Sequence, residues 1–229
     1  ENPVPVTAVA AILQHNTSGI ISLKEKGIDS PKKLEGKRYA TWEDDIEQAI
    51  LKKLVTDNGG DFSKVKLIPY TVTNVVASLK TNIDAIWVYY AWDGIATERA
   101  GLKTNFLKLR DYGKELDYYS PVIIANNDYL KANPEIAKKV LRAIKKGYEY
   151  AAKNPEESAK ILVKNSPELD INLVTASQKW ISKEYQADAK EWGIIDGNRW
   201  NRFYEWLYKN KAVEREIPKD FGYSNEYLK

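Results

Sequence analysis

Residues 37–60 read KRYATWEDDIEQAILKKLVTDNGG, and their reading decides the fold. The first six, Lys37 to Trp42, form a short β-favouring run. From Asp44 the period changes. Ile46, Ala49, Ile50, Lys53 and Leu54 recur at helical spacing until Gly59-Gly60 stops the helix. Thr41 is placed to cap that helix, and Glu43, Asp44 and Asp45 complement its dipole. A strand running straight into a helix is the repeating step of an α/β sheet.

The same step recurs on both sides. VPVTAVAAIL (4–13), VKLIPY (65–70), IDAIWVYY (83–90) and FLKLRDY (106–112) read as strands. Asn74 to Lys80 and AWDGIATERAG (91–101) read as helices. This alternation predicts mixed, mostly parallel sheets. After Tyr119 the chain is chiefly helical, with one strand, SPVIIA (120–125), leading in. Asn133-Pro134-Glu135 and Asn154-Pro155-Glu156 are matching helix starts, each an N-cap, a proline and an acid. Ile136, Val140, Ile144 and Tyr148 form one apolar stripe between them. Asp170 caps a further helix, and Trp200, Phe203, Tyr204 and Leu207 share a face of the last.

Composition narrows the function. The chain of 229 residues is long enough for one large domain or two lobes. Lys and Arg total 35 against 32 acids, so no basic footprint for nucleic acid or membrane is present. No apolar run approaches membrane-spanning length, and the opening Glu1-Asn2-Pro3 has no signal-peptide pattern; the absence of an initiator methionine suggests a processed or partial form. Zero cysteine removes thiolate nucleophiles, disulfides and thiolate metal sites, and His15 is the only histidine. Catalytic residues, a metal and a cofactor are all expected to be absent.

Three stretches carry recognition chemistry. LQHNTSGI (13–20) ends an apolar strand with donors and acceptors, although Asn16 and Ser18 equally suit a turn and His15 suits a structural hydrogen bond. Trp42, beside the acidic turn, is a lid or a prop; the three acids there disfavour a phosphate or sulfonate. WVYYAWDG (87–94) places Tyr90, Trp92 and Asp93 at a strand's carboxyl end, and LDYYSPV (116–122) repeats the theme with Asp117, Tyr118 and Tyr119. An aromatic ring stacks a flat heterocycle, and a carboxylate accepts from its exocyclic amine. Two such clusters lean towards a stacking site.

Taken in order, AAILQHNTSGIISL, WVYYAWDGIATERAG, LDYYSPVIIANNDYL, NPEIAKKV, NPEESAKIL, PELDINLVTASQKWIS, ADAKEWGIIDGNRWNRFYEWL and FGYSNEYL resemble the NMT1/THI5-like group of type II periplasmic binding proteins throughout the chain. The likeness is nearest to ThiY-like lipoproteins of ABC transporters that capture formylaminopyrimidine for thiamine salvage. It implies a two-lobe α/β fold: residues 1–35 and 113–229 as first lobe, 36–112 as second, with the chain crossing near 36 and 112.

The resemblance further implies a site at Asn16, Thr17, Ser18, Trp42, Glu43, Tyr90, Asp93, Tyr118 and Tyr119, with Tyr90 or Asp93 near Tyr118 or Tyr119 and the lobes closing on the ligand. The ligand would be a thiamine-precursor pyrimidine and the partner an ABC permease, outside the cytoplasm. Riboflavin, sulfonate or nitrate capture is the alternative, and a hydroxymethylpyrimidine-phosphate synthase-like enzyme a more remote one. Members of the group begin with further first-lobe residues that this chain does not contain. The expectation is therefore an incompletely packed first lobe, open to dimerisation or swapping.

Overall fold

The computed structural model describes residues 4–70 and 72–229. The chain forms two compact units. Unit one contains the chain up to Asn16, Asp117–Tyr204 and Ile217–Lys229; unit two contains Thr17–Leu116 and Glu205–Glu216. Among the described residues no helix is long and apolar enough to cross a membrane.

Unit two is built on five strands: β2 (Ser18–Leu23), β3 (Arg38–Thr41), β4 (Lys66–Pro69), β5 (Ala85–Tyr89) and β6 (Thr104–Lys108), in the order β4-β3-β5-β2-β6. β3 runs parallel to β4 and β5, whereas β2 runs antiparallel to β5 and β6. The sheet is thus mixed, with fewer parallel pairs than strand–helix alternation implies. The reason is β2, which the sequence hid: Ser18 does not end the preceding strand but opens a new one, fully buried along its length. Because β2 lies between β5 and β6, residues 18–35 belong to unit two. The chain therefore passes between units at Asn16/Thr17 and Leu116/Asp117, rather than near 36 and 112, and Glu205–Glu216 also joins unit two.

Helix α1 (Asp45–Asp57) buries Ile50, Leu51, Leu54 and Val55, the apolar positions of its helical period. Its cap is Asp44, whose carboxylate accepts from Ile46 N at 3.0 Å and Glu47 N at 2.9 Å. Thr41 does not cap it, because its hydroxyl donates to Glu47 at 2.7 Å and accepts from Glu43 N at 2.9 Å. Two short helices follow, α2 (Val75–Leu79) and α3 (Ile95–Arg99). Val75 and Leu79 pack with Ile21, Leu23, Ile83, Ile86 and Val88 into one core cluster.

Unit one pairs β1 (Val6–Ala11) with antiparallel β7 (Val122–Asn126) and adds α4 (Asn127–Ala132), α5 (Pro134–Lys153), α6 (Pro155–Asn165), α7 (Ile171–Ile181) and the start of α8 (Gly197–Lys209). Its core joins Val9, Leu13, Leu130, Leu141, Tyr185 and Trp192, with Tyr148 stacked on Trp192 at 4.7 Å between ring centroids. Asp170 caps α7 through Leu173 N. Asn133 and Asn154 make no such side-chain cap. Their amides instead donate back to Tyr129 O and Tyr150 O, closing the preceding helices. The α5 stripe divides: Ile144 and Tyr148 pack on the core, while Ile136 and Val140 are half exposed, as is Ile124 of β7.

Candidate functional site

In unit two the turn after β3 is organised by one buried acid. The Glu47 carboxylate accepts from Tyr39 Oη at 2.9 Å, Thr41 Oγ1 at 2.7 Å and Trp42 N at 3.2 Å. Burial pushes the Glu47 carboxyl up and the Tyr39 phenol well up, so the group sits in a low-dielectric pocket held by hydrogen bonds. Above it Glu43 adopts a positive φ of 62°, an uncommon conformation that the bond from Glu43 N to Thr41 Oγ1 helps to hold. The outcome is that Trp42 stands half exposed, its ring 5.7 Å from that of buried Trp87. Trp87 is the prop.

The end of β5 leads into a π-helical turn, Tyr90–Gly94, and then α3. Tyr90 packs on Phe106 at 4.6 Å, donates its hydroxyl to Glu98, and lies so close over Gly94 that a Cβ there would meet its ring at 2.4 Å. Burial and Glu98 push the Tyr90 phenol up to about 12. The same turn delivers Trp92 and Asp93 together into a cavity of about 390 Å³, with Thr73, Asn74, Val75, Val76 and Ala96 as its other walls. Trp92 is 40% exposed there. Burial raises the Asp93 carboxyl above its ordinary range. A desolvated acceptor beside an indole face suits a flat ligand that carries an amine.

In unit one the loop after β1 is tied down by Asp117. That carboxylate accepts from Asn16 N at 2.9 Å and lies 2.7 Å from His15 Nδ1, while the other ring nitrogen is 2.9 Å from Asp188. His15 is thus held structurally between two acids, and the hydrogen bond from His15 holds the Asp188 carboxyl down. Tyr118 stacks on Phe203 at 4.1 Å. Tyr119 is buried, its hydroxyl accepting from Asp196 N at 2.9 Å and its ring lying 5.3 Å from the Arg199 guanidinium carbon. Tyr119, Gln14, Asp188, Asp196, Arg199 and Tyr223 are among the walls of a cavity of about 460 Å³.

The nine residues singled out from the sequence therefore have different surroundings. Asn16, Thr17 and Ser18 are buried, and Ser18 is paired in β2 opposite Tyr89. Trp42 and Glu43 share the first turn of unit two; Tyr90 and Asp93 share the second. Tyr118 and Tyr119 fall in unit one, with only Tyr119 lining its cavity. Gln14 and Arg199 escaped the reading because 185 residues separate them and neither belongs to a local motif. Among the described residues no cluster of three or more His, Asp and Glu is placed to hold a metal ion.

Comparison with known proteins gives a concordant picture. A family model described as NMT1/THI5 like matches residues 1–158. A formylaminopyrimidine-binding protein of Halalkalibacterium halodurans is 24% identical over 227 residues, covering 97% of this chain and 68% of that protein. A 4-amino-5-hydroxymethyl-2-methylpyrimidine phosphate synthase of Legionella pneumophila is 25% identical over 225 residues, covering 98% of this chain and 70% of that one. Among solved structures, the periplasmic aliphatic sulphonate binding protein SsuA of Escherichia coli superposes with a TM-score of 0.71 at 15% identity, over 99% of this chain and 76% of its own. The fold is that of the periplasmic binding proteins.

Proposed function

Because the chain belongs to the NMT1/THI5-like family, we propose that it is the substrate-binding component of an ABC importer and captures a thiamine-precursor pyrimidine. It works outside the cytoplasm, by binding and release to a permease, and breaks no bond. Attachment as a lipoprotein belongs to the same reading. The observation that carries it is the Trp92–Asp93 pair: an exposed indole face and a desolvated carboxylate in one cavity. An aminopyrimidine offers the complementary surface, a π-face for stacking and an amine for the acid. Stacking of a base on an aromatic side chain is worth on the order of 1–3 kcal/mol.

The formylaminopyrimidine-binding relative supports this choice of ligand class. A sulfonate reading draws on the SsuA-like fold, but fold alone does not carry a ligand. Glu43, Asp44 and Asp45 at the start of α1 oppose an anion there. The test is a thermal-shift panel with formylaminopyrimidine, thiamine, riboflavin, taurine and nitrate. A ligand at a hundred times its Kd stabilises the folded state by about 2.7 kcal/mol, a rise of several degrees. A rise with formylaminopyrimidine or thiamine supports the reading; a rise with taurine or nitrate alone overturns it.

A further inference from the structure

Residues 186–190 form a turn between α7 and α8 with firm ends and a loosely tied middle. Tyr185, before it, is buried and donates its hydroxyl to Gln178 at 3.0 Å; Trp192, after it, is buried and donates Nε1 to Ile12 O at 3.2 Å. Inside the turn Gln186 Nε2 donates to Ala189 O at 3.2 Å and Lys190 O at 3.3 Å. Ala187 takes a φ of 45°, a left-handed conformation that is costly for a residue with a Cβ. Among the described residues, one hydrogen-bonded ion pair ties residues 186–190 to the rest of unit one: Asp188 to His15 Nε2 at 2.9 Å. The same turn supplies Asp188, Ala189 and Lys190 to the wall of the cavity of about 460 Å³.

His15 cannot serve both of its acids in every charge state. An ionised carboxylate only accepts. The two ring nitrogens lie 2.7 Å from Asp117 and 2.9 Å from Asp188, so both contacts are hydrogen bonds only when both nitrogens carry protons. Histidine is the side chain that ordinarily gains or loses its second proton between about pH 5 and 8. The charged groups facing the ring are Asp117, Asp188 and, 3.2 Å from Nδ1, the Arg199 guanidinium of α8. The bond from His15 holds the Asp188 carboxyl below its ordinary range, so Asp188 stays ionised while the ring titrates. Once the ring is neutral, one nitrogen meets its carboxylate lone pair to lone pair. Asp117 is the acid that stays: its side chain is 18% exposed, accepts from Asn16 N at 2.9 Å and lies 3.5 Å from Arg199 Nη1. The Asp188 side chain is 76% exposed and has no second tie of that kind. We infer that His15 is a proton-controlled latch: its imidazolium holds the turn 186–190 against unit one, and loss of the Nε2 proton as pH rises releases Asp188 and opens that wall of the cavity.

Nitrogen-15 NMR from about pH 5 to about pH 9 tests this. His15 is the only histidine, so its ring signals need no assignment. On neutralisation the remaining proton is expected on Nδ1, facing Asp117. Backbone order parameters at 187–189 are expected to fall from about 0.85 to below about 0.6 with the same midpoint as the ring. In Asp188→Ala the turn should be mobile at both ends of the range. In Asp188→Asn it should be rigid at both, because an amide turns to accept from a protonated Nε2 or to donate to a bare one. A neutral ring with its proton on Nε2 overturns the inference. So does a ring that titrates while residues 187–189 stay unchanged, or one that keeps both protons across the range. An Asp188→Asn protein that follows the wild-type pH profile overturns it as well. The wild-type measurements need no variant and decide the matter even if a substitution prevents folding.

Discussion

Asp93 carries a desolvation cost that the proposed binding role would offset. Desolvation raises its carboxyl pKa in the folded chain, so the folded state disfavours the charged form. The sign follows: folding stability is greatest where Asp93 is protonated in both states and declines as pH rises through the window from the ordinary carboxylate value to the raised one. Asp93→Asn removes that cost. It is expected to raise the melting temperature of the ligand-free protein at pH 7 by about 1–3 °C, under about 1 kcal/mol, while weakening aminopyrimidine binding at least tenfold. The binding of wild type should also weaken as pH falls through the raised range of the Asp93 carboxyl, and the variant should lose that part of the dependence that does not come from the ligand's own titration. An unchanged affinity in the variant would make Asp93 a bystander. Asp93 was singled out in the sequence because an acid at a strand's carboxyl end is a positional signal. The choice of Glu47 as organiser of the Trp42 turn was not, since only the fold brings Tyr39, Thr41 and Trp42 onto one carboxylate.

Elements were read well where a single periodicity ruled and poorly where a side chain had two uses. The helical period of α1 survives and the strand read over 83–90 is kept as Ala85–Tyr89, with Tyr90 passing into the following turn, but the cap of α1 moved from Thr41 to Asp44 because Glu47 claims the threonine hydroxyl. Asp44→Ala should therefore cost about 1 kcal/mol of stability, measured by denaturant unfolding, a typical value for a lost N-cap. β2 was hidden because HNTSG resembles a turn when its buried pairing to β5 and β6 is unknown. On α5 the four-residue stripe gives no sign of where burial ends. Leu141→Ala, deep in the core, should cost about 2–4 kcal/mol, whereas Ile136→Ser and Val140→Ser, both half exposed, should each stay within about 1 kcal/mol of wild type. Comparable losses at all three positions would show that a partner surface covers Ile136 and Val140 in solution.

At the scale of the whole molecule, strand–helix alternation pointed to the α/β class, whereas two lobes were implied only by the family resemblance and the points of passage between them were not legible. Those points depend on pairings between distant segments. Within unit one, Asn16 and Asp117 are neighbours, because the Asp117 carboxylate holds Asn16 N with one oxygen and the His15 ring with the other. A single side chain of unit one therefore fixes the two residues that precede Thr17. Asp117→Ala removes both bonds and leaves a buried amide without its acceptor, for which about 1–3 kcal/mol is the ordinary penalty. The loss should be local before it is global, since the cores of the two units are built from other residues. Amide hydrogen exchange is the measurement: in Asp117→Ala the Asn16 amide should exchange at least tenfold faster, while Ile50 and Leu54 in α1 keep their wild-type protection. Equal acceleration at Asn16 and in α1 would mean that the bond supports the whole fold. Unchanged exchange at Asn16 would mean that β1 and its loop are fixed by their packing on Leu13 and Trp192 alone.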